Sequence, residues 1–453
     1  MERLKRLCSE KERDELITSN LLNDLQMFVS SERIVKAQNG DDFLGNSGRI
    51  VVKPESEEEI TKILQYANLH NRKISIVAGG TKRGFGGTTE AEDIGVSLEN
   101  FKGITEHAVG DMTLTVKSGT PFKELQAYLA QYNQKISLDP FYPERATIGG
   151  IIAANDSGPK RLGYGSARDA VIGLRIAYPD GSVIRSGGKV VKNVAGYDMN
   201  KLFIGSMGTI GVLTEVTLKL RPLPQYESVI LLAFPDGHHE WLKSFAAELL
   251  DSMMEPIALE LLSPTLSEDL TGHRNYTVAI SFEDVETSVH YQEEFVKKIS
   301  PPSVNVSILE KEKACQFWEQ FYNIGPKVTE TKETEATLKM GVVNLDVIRV
   351  IQECEYMSDV HHLKIEGHGG LGHGLCHVHL SGAAEDVKTA IGQLRKLATE
   401  LNGYAVLKYL PLKLRQEITV WGERPSYFFW LEGIKEKIDP KKILNPGRFV
   451  GGI

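Results

Sequence analysis

Six of the twelve histidines fall between His361 and His379, in "HHLKIEGHGGLGHGLCHVHL". With Glu366 this group has the chemistry to bind a divalent metal, or to take the proton of a hydroxyl during an oxidation. A third arrangement uses the same residues: His361 and His362 exposed, the others buried and hydrogen-bonded. His377 and His379 alternate along a predicted strand, "CHVHLSG", and so share a face, while His368 and His373 read as part of a glycine-rich loop before it. Arg424 and Lys408 are of the type that clamps a carboxylate, although a charge beside a strand is more often a solvated edge.

A second kind of chemistry lies in bare backbone. Three glycine-rich segments, "AGGTKRGFGG" (78–87), "ATIGGIIAANDSG" (146–158) and "GSMGTIGV" (205–212), each read as following a strand. Glycine lets main-chain N–H groups converge on an anion such as a pyrophosphate, and it is equally the commonest residue of a tight turn. Neither GxxxxGK[ST] nor a strand-to-helix GxGxxG is present, so no P-loop and no Rossmann dinucleotide site is indicated.

The elements that must position these residues form two textures. From Arg49 to Pro224, short strands, short helices and glycine loops alternate. "RIVVKP" is a strand, Ser56 and Glu59 make a capping box before Ile60, Ile63, Leu64 and Ala67, and Thr120-Pro121 opens a helix with a hydroxyl cap. The prolines at 222 and 224 mark a boundary. Beyond them, longer helices alternate with strands such as "IALELL", "YTVAISF", "ATLKMGVV" and "YAVLKYL", as in an α+β domain whose antiparallel sheet is covered on one face. A last helix, "YFFWLEGIKEKI", carries Tyr427, Phe428, Phe429 and Trp430 as helix core or as an interface anchor.

Length and composition set limits. The 453 residues imply two domains, and a formal charge of -8 without basic blocks excludes a nucleic-acid or anionic-membrane footprint. "MERLKRLCSEKERDELITSN" is no signal peptide and reads as an exposed helix. No run approaches the ~20 apolar residues of a membrane span, so membrane contact, if any, is peripheral. The four cysteines (Cys8, Cys315, Cys354, Cys376) are scattered, which suits a reducing cytoplasm and leaves no iron–sulfur ligand set in this chain.

The ordered motifs "VVKPESEEEI", "AGGTK", "PERATIGGIIAANDSG", "YGSARDAVIGLRIAYPDGSVIRSGG", "VKNVAGYDMNKLFIGSMGTIGVLTEVTLKLRP" and "DPKKILNPGRF" resemble the FAD-linked oxidase family of vanillyl-alcohol oxidase and p-cresol methylhydroxylase (PCMH). The match is strongest to FAD-binding subunits of bacterial glycolate oxidase, which share "VWG" ahead of "NPGR". The resemblance implies an α+β protein: an N-terminal helical segment (1–30), a PCMH-type FAD-binding domain of two subdomains (31–224), an α+β cap domain with an antiparallel sheet (225–436), and a segment (437–453) returning to the FAD domain. It implies a cofactor site of Ala78, Gly79, Gly80, Thr81 and Lys82 at the pyrophosphate. Pro143, Ala146, Thr147, Ile148, Gly149, Gly150, Ala153 and Ala154 would line the cofactor, a side chain at Gly149 or Gly150 occupying its volume. Gly165, Ser166, Ala167, Asp169, Ile210, Val212 and Asn445 would complete the site.

Members that tether FAD use a histidine near the first loop or a cysteine in the second segment. Neither is here, so non-covalent FAD is expected. Relatives that oxidise 2-hydroxy acids carry "GHxGDGNxH" and "GEHGxG"; this chain has "GHGGLGHG" and "GERPS", keeping His368 and Glu423 but placing Leu371, His373 and Arg424 at altered positions. That departure argues against the family's metal site and leaves His368, His373, Glu423 and Arg424 as the catalytic expectation, with no metal. The implied activity is hydride transfer from a small 2-hydroxy acid to FAD, with electrons passing to a second FAD-oxidase subunit and an iron–sulfur subunit. Two other readings are a stand-alone dehydrogenase of a hydroxy acid such as D-lactate or of an alcohol, and an electron-relay subunit without turnover.

Overall fold

The computed structural model describes residues 18–37, 43–188, 197–234, 239–326 and 333–453. Most of the predicted N-terminal helix, Cys8 and the stretch 189–196 of the "VKNVAGYDMN" motif lie outside them. Residues 18–25 are helical and not exposed as a whole: Leu21 and Leu25 are buried in the first core.

That core closes on a four-stranded sheet, in which Ser47–Val52, Ala91–Ser97 and Ile74–Val77 run parallel and Ile34–Lys36 adds an antiparallel edge. The crossover helix Glu57–Leu69 starts where Ser56 accepts from Glu59 N at 3.2 Å, and it buries Ile60, Ile63, Leu64 and Ala67 as their spacing predicts. Glu59 does not complete the capping box. Its carboxylate accepts instead from Glu55 N and from both Arg33 Nη atoms, at 2.7–2.8 Å.

A second sheet has five antiparallel strands in the order Ile104–Ala108, Thr113–Lys117, Val212–Lys219, Val171–Ala177, Val183–Gly187. The helix Phe122–Ala130 packs on it. Pro121 occupies the N-cap position, and the Thr120 hydroxyl does not cap; it donates to Lys117 O and accepts from Gly103 N.

The second texture folds into one eight-stranded antiparallel sheet in the order Asn305–Glu310, Tyr226–Phe234, Tyr276–Asp284, Ala258–Leu262, Lys364–Gly370, Leu375–Gly382, Thr334–Gly341, Tyr404–Tyr409. Four helices, His239–Leu250, Glu286–Ile299, Val347–His361 and Ala384–Glu400, bury one face. Contrary to expectation the other face is covered too: Pro264–Thr271 and Glu312–Phe321 pack over one end of it around Phe141. The remaining end faces the first half of the chain. Strand alternation decides what stands there: Cys376, Val378 and Leu380 point into the helical core, and His377 and His379 point the other way.

The helix Phe428–Ile438 sets Ile434 and Ile438 against the second core. The helix-core reading of its aromatic start is wrong, because Tyr427, Phe429 and Trp430 are 58%, 61% and 66% exposed. Lys435 is buried, donates to Thr209 O at 2.7 Å and Leu444 O at 3.1 Å, and pairs with Asp439 at 2.7 Å. Asp439 also accepts from Ile443 N and Leu444 N, so one carboxylate fixes the return of the chain to the first sheet. Asp439→Ala strands a buried ammonium, and the expected cost is about 3–5 kcal/mol. Urea unfolding followed by circular dichroism should show that loss as a lower midpoint at unchanged slope.

Candidate active site

The three glycine-rich segments converge, but only the first follows a strand, Ile74–Val77. The second is a short helix, Ile148–Ala154, N-capped by Thr147, and the third follows the helical turn Asn200–Phe203. Together they line one cleft. Of the residues expected at a cofactor, Ala78, Gly79, Gly80, Thr81, Lys82, Thr147, Gly149, Gly150, Ala153, Ala154, Val212 and Asn445 line it. Arg83, Met207, Gly208 and Gly211, inside the glycine segments but not singled out, line it too, and sequence reasoning missed Ser118 and Arg448.

The other expected residues lie outside the cleft, each for a visible reason. Ala146 is buried behind the lining, its carbonyl accepting from Phe122 N at 2.8 Å, and Ile148 is in the second core. Gly165, Ser166, Ala167 and Asp169 form the cap of the short helix Ala167–Ala170, with Ser166 N donating to Asp169 Oδ2 at 2.7 Å. Pro143 lines a separate cavity beside Lys160 and Glu283, and Ile210 lines a neighbouring chamber.

The chemistry of the cleft is that of an anion cradle. Among the described residues, no acceptor is paired with the main-chain N–H of Gly79, Gly80, Thr81 or Lys82. Four successive free donors beside Lys82, Arg83 and Arg448 form a nest for a phosphate group. A Cβ at Gly79 would lie 1.7 Å from Arg145 O, and Gly80 has φ +71°, so only glycine builds this turn. Arg448 holds it from below, Nη2 donating to Lys82 O at 2.7 Å and Phe85 O at 3.1 Å. Asn445 ties the first and third segments: its Oδ1 accepts from Ile76 N at 2.8 Å and its Nδ2 donates to Met207 O at 2.7 Å. Ile76, Leu98, Val212 and Leu213 give the far end an apolar wall for a flat ring.

The two glycines of the short helix differ. A Cβ at Gly149 would meet Ser118 Cβ at 2.6 Å, so its bareness serves the contact between helix and strand and not cofactor volume, as the sequence had suggested. At Gly150 the nearest atom is Thr147 Oγ1 at 3.2 Å, and the position opens to the cleft. Gly149→Ala should cost about 1–3 kcal/mol of stability. Gly150→Ala should leave the melting temperature nearly unchanged yet lower the flavin retained on gel filtration, a split that paired melts and absorbance spectra would reveal.

Opposite the cleft stands the open end of the eight-stranded sheet. Asp156, fully buried, receives Lys82 Nζ on one carboxylate oxygen, at 2.6 Å, and Lys408 Nζ on the other. Burial opposes its charged form, but the Lys408 and Lys82 ammoniums outweigh that and hold the carboxyl well below its usual range. Lys408 is therefore no solvated edge. His377 and His379 line a small cavity shared with Lys82 and Lys408.

His368 belongs to the strand Lys364–Gly370, not to a loop, and is buried with Nδ1 2.6 Å from Glu260 Oε1. His373 sits in the following turn, Nδ1 accepting from Leu375 N at 3.2 Å. Neither lines the cleft or that cavity. Glu423 and Arg424 are exposed; Arg424 donates to Gly451 O at 3.0 Å and stacks over Phe428. Among the described residues no three His, Cys, Asp or Glu side chains are grouped to hold a metal ion.

Burial lowers the pKa of the histidines: His368 and His379 to about 3, His373 to about 4, and His377 well below its ordinary value, with Lys408 adding to the shift at His368, His377 and His379. All four are neutral at neutral pH. Depressed values in the folded state mean that the unfolded chain binds more protons between about pH 6.5 and 3. Stability from this source is whole above about pH 6.5 and falls as pH drops. Thermal melts from pH 7 to 4.5 should show the decline, and His379→Gln should flatten it.

Residues 48–187 match a family model described as an FAD binding domain. The chain is 27% identical over 427 residues to glycolate oxidase subunit GlcD of Bacillus subtilis, covering 88% of each. It is 35% identical over 268 residues to the mitochondrial D-lactate dehydrogenase [cytochrome] of Arabidopsis thaliana, covering 57% of this chain and 46% of that one, so the chain spans about half of that relative's length. Over 125 residues it is 42% identical to glycolate oxidase subunit GlcE of Escherichia coli, 27% of this chain and 36% of that one.

Two solved structures share the fold: 4-ethylphenol oxidase from Gulosibacter chungangensis (TM-score 0.75, 15% identity) and p-cresol methylhydroxylase (TM-score 0.73, 12% identity), each covering 95% of this chain and 96% of its own. Fold and cleft thus define a flavoprotein of the PCMH-type architecture, with residues 48–187 as its FAD-binding domain and FAD as its cofactor. The chain is an FAD-dependent oxidoreductase related to GlcD and to D-lactate dehydrogenase.

Proposed function

We propose that this chain is the FAD-carrying subunit of a glycolate oxidase-like enzyme that oxidises a 2-hydroxy acid. The observation that carries the reading is one cross-strand pair. Lys339 and His377 lie directly opposite each other in the sheet, His377 lining the cavity shared with Lys82 and Lys339 the neighbouring chamber, the two meeting at Lys408. Cross-strand partners stand ~5 Å apart at Cβ. Lys339 has no ion pair or hydrogen bond among the described residues, and His377 is neutral. A 2-hydroxy acid carries its carboxylate and hydroxyl on adjacent carbons, so a carboxylate held by the Lys339 ammonium brings the hydroxyl to a neutral imidazole that can accept its hydrogen bond.

Gly79 to Lys82 would hold the pyrophosphate of FAD through their free N–H groups, and Gly150, Ala153 and Ala154 would pass the rest of the cofactor toward the sheet. Among the described residues no histidine or cysteine lines the cleft, which supports non-covalent binding. Bound there, FAD supplies the acceptor for the two electrons that leave the substrate carbon. Asp156 keeps Lys82 and Lys408 in register across the junction and leaves a net positive charge that favours an anionic substrate.

The similarity to two differently named glycolate oxidase subunits, together with scattered cysteines, supports passage of electrons to a second flavin subunit and an iron–sulfur subunit. The similarity to a D-lactate dehydrogenase supports a second reading, a dehydrogenase active alone.

Anaerobic mixing of the yellow protein with glycolate, D-lactate or D-2-hydroxyglutarate tests the reading. Bleaching of the flavin by at least one acid supports it, and a spectrum unmoved by all of them, alone and with co-expressed partner subunits, overturns it. Lys339→Met should raise KM at least tenfold with little change in kcat. Burial, and after it Lys408, bring the Lys339 ammonium down to about 8, so KM for the acid should rise as pH passes above about 8 and the ammonium loses its proton. Substrate saturation curves from pH 6.5 to 9.5 measure this.

A further inference from the structure

A chamber of about 390 Å³ lies between the strand Tyr404–Tyr409 and the helix Phe428–Ile438. It touches the glycine cleft at Ala154 and the histidine-walled cavity at Lys408. Its charged lining is wholly basic: Lys339 and Lys408 inside, Arg168 and Lys201 at the mouth, with no acid among the described lining residues. Lys408 is held by Asp156 and Lys201 pairs with Asp198 at 3.2 Å, which leaves Lys339 as the inner ammonium without an ion pair. The Trp421 indole N–H is a second buried donor with no partner.

Asn155, Ser206, Thr209 and Tyr404 add polar groups, and the rest of the wall is apolar. Phe85 stacks on Trp421 with centroids 4.8 Å apart, and Phe449 meets Trp421 edge-on at 5.3 Å. Leu431 and Ile434 line the opposite side. Interlocked rings of this kind accept a flat apolar group and gain nothing from water. A two-carbon acid such as glycolate uses the donors and leaves the whole wall wet.

We propose that this chamber is the pocket for the substrate's side chain, and that the acid bound is a 2-hydroxy acid carrying an aromatic or branched apolar side chain, not glycolate. The inference rests on the reading of the chain as a 2-hydroxy-acid oxidising subunit, and it adds which acid. Discrimination in an apolar pocket runs at ~10–200-fold per added group, so a phenyl side chain should give at least about tenfold over a methyl or a hydrogen.

The test uses the FAD-loaded protein with 3-phenyllactate, its 2-oxo counterpart, lactate and glycolate as probes, read by calorimetry and by the perturbation of flavin absorbance. Leu431→Trp narrows the chamber from the helix side, away from the strands that carry Lys339 and Lys408. Tighter binding of the phenyl acids by at least tenfold, abolished by Leu431→Trp with glycolate affinity unmoved, is the expected result. Equal or tighter binding of glycolate, or a Leu431→Trp protein that binds the phenyl acids as before, overturns the proposal. The two readings fail separately. If phenyl acids bind, lose binding in Leu431→Trp, and yet no hydroxy acid reduces the flavin, the chamber stands and the oxidation falls. If glycolate bleaches the flavin while phenyl acids bind no better, the oxidation stands and the chamber assignment falls.

Discussion

The arrangement depends on one buried carboxylate. Asp156 takes an ammonium on each oxygen, Lys82 from the first glycine segment and Lys408 from the last strand of the eight-stranded sheet. Those two lysines belong to parts of the chain with separate cores, and each lines a cavity that meets the other's. Two charges of one sign would repel across the junction without the third, and the third would be insupportable alone, since an unpaired ion in such surroundings costs several kcal/mol. The cluster thus sets which residues of the sheet face the cofactor cleft, and it keeps that face positive.

From this node the site unfolds by strand alternation. A sheet whose one face is a helical core presents every second residue to the other side, so Lys339 stands beside Leu338 and Met340 yet faces the site, and His377 and His379 do so beside Val378. Burial then keeps these imidazoles uncharged, and the Lys339 ammonium is left as the inner cation without a counter-ion. A pocket with neutral imidazoles and an excess of positive charge suits an anion that also donates a hydrogen bond.

Much of this was legible in the sequence, and the failures are instructive. The glycine segments announced a nest because free N–H groups need no side chain, and His377 and His379 shared a face because two-residue spacing in a strand leaves no alternative. Gly149 misled: its composition is that of a cofactor loop, but the neighbour that forbids a Cβ is Ser118, more than thirty positions away, which no local pattern reports. Gly165 to Asp169 form a helix cap, which looks the same as a ligand loop when only residue types are visible. Asp156 and Glu260 were each overlooked although their signal was present: a lone acid inside "AANDSG" or "IALELL" breaks a small or apolar run, and an acid buried there must have a partner. The pairing itself, at sequence separations of 74, 108 and 252, belongs to the fold and not to any window of the chain.

The clamp under the first glycine segment has a temporal side. Lys82 and Phe85 present their carbonyls to Arg448, and the strand just before them leans on Asn445. During vectorial synthesis the ribosome delivers the nest more than three hundred and fifty residues ahead of the groups that brace it. Until they emerge the nascent loop has its donors but not its shape. The shape of the flavin-binding nest thereby depends on residues 445–448 having been made.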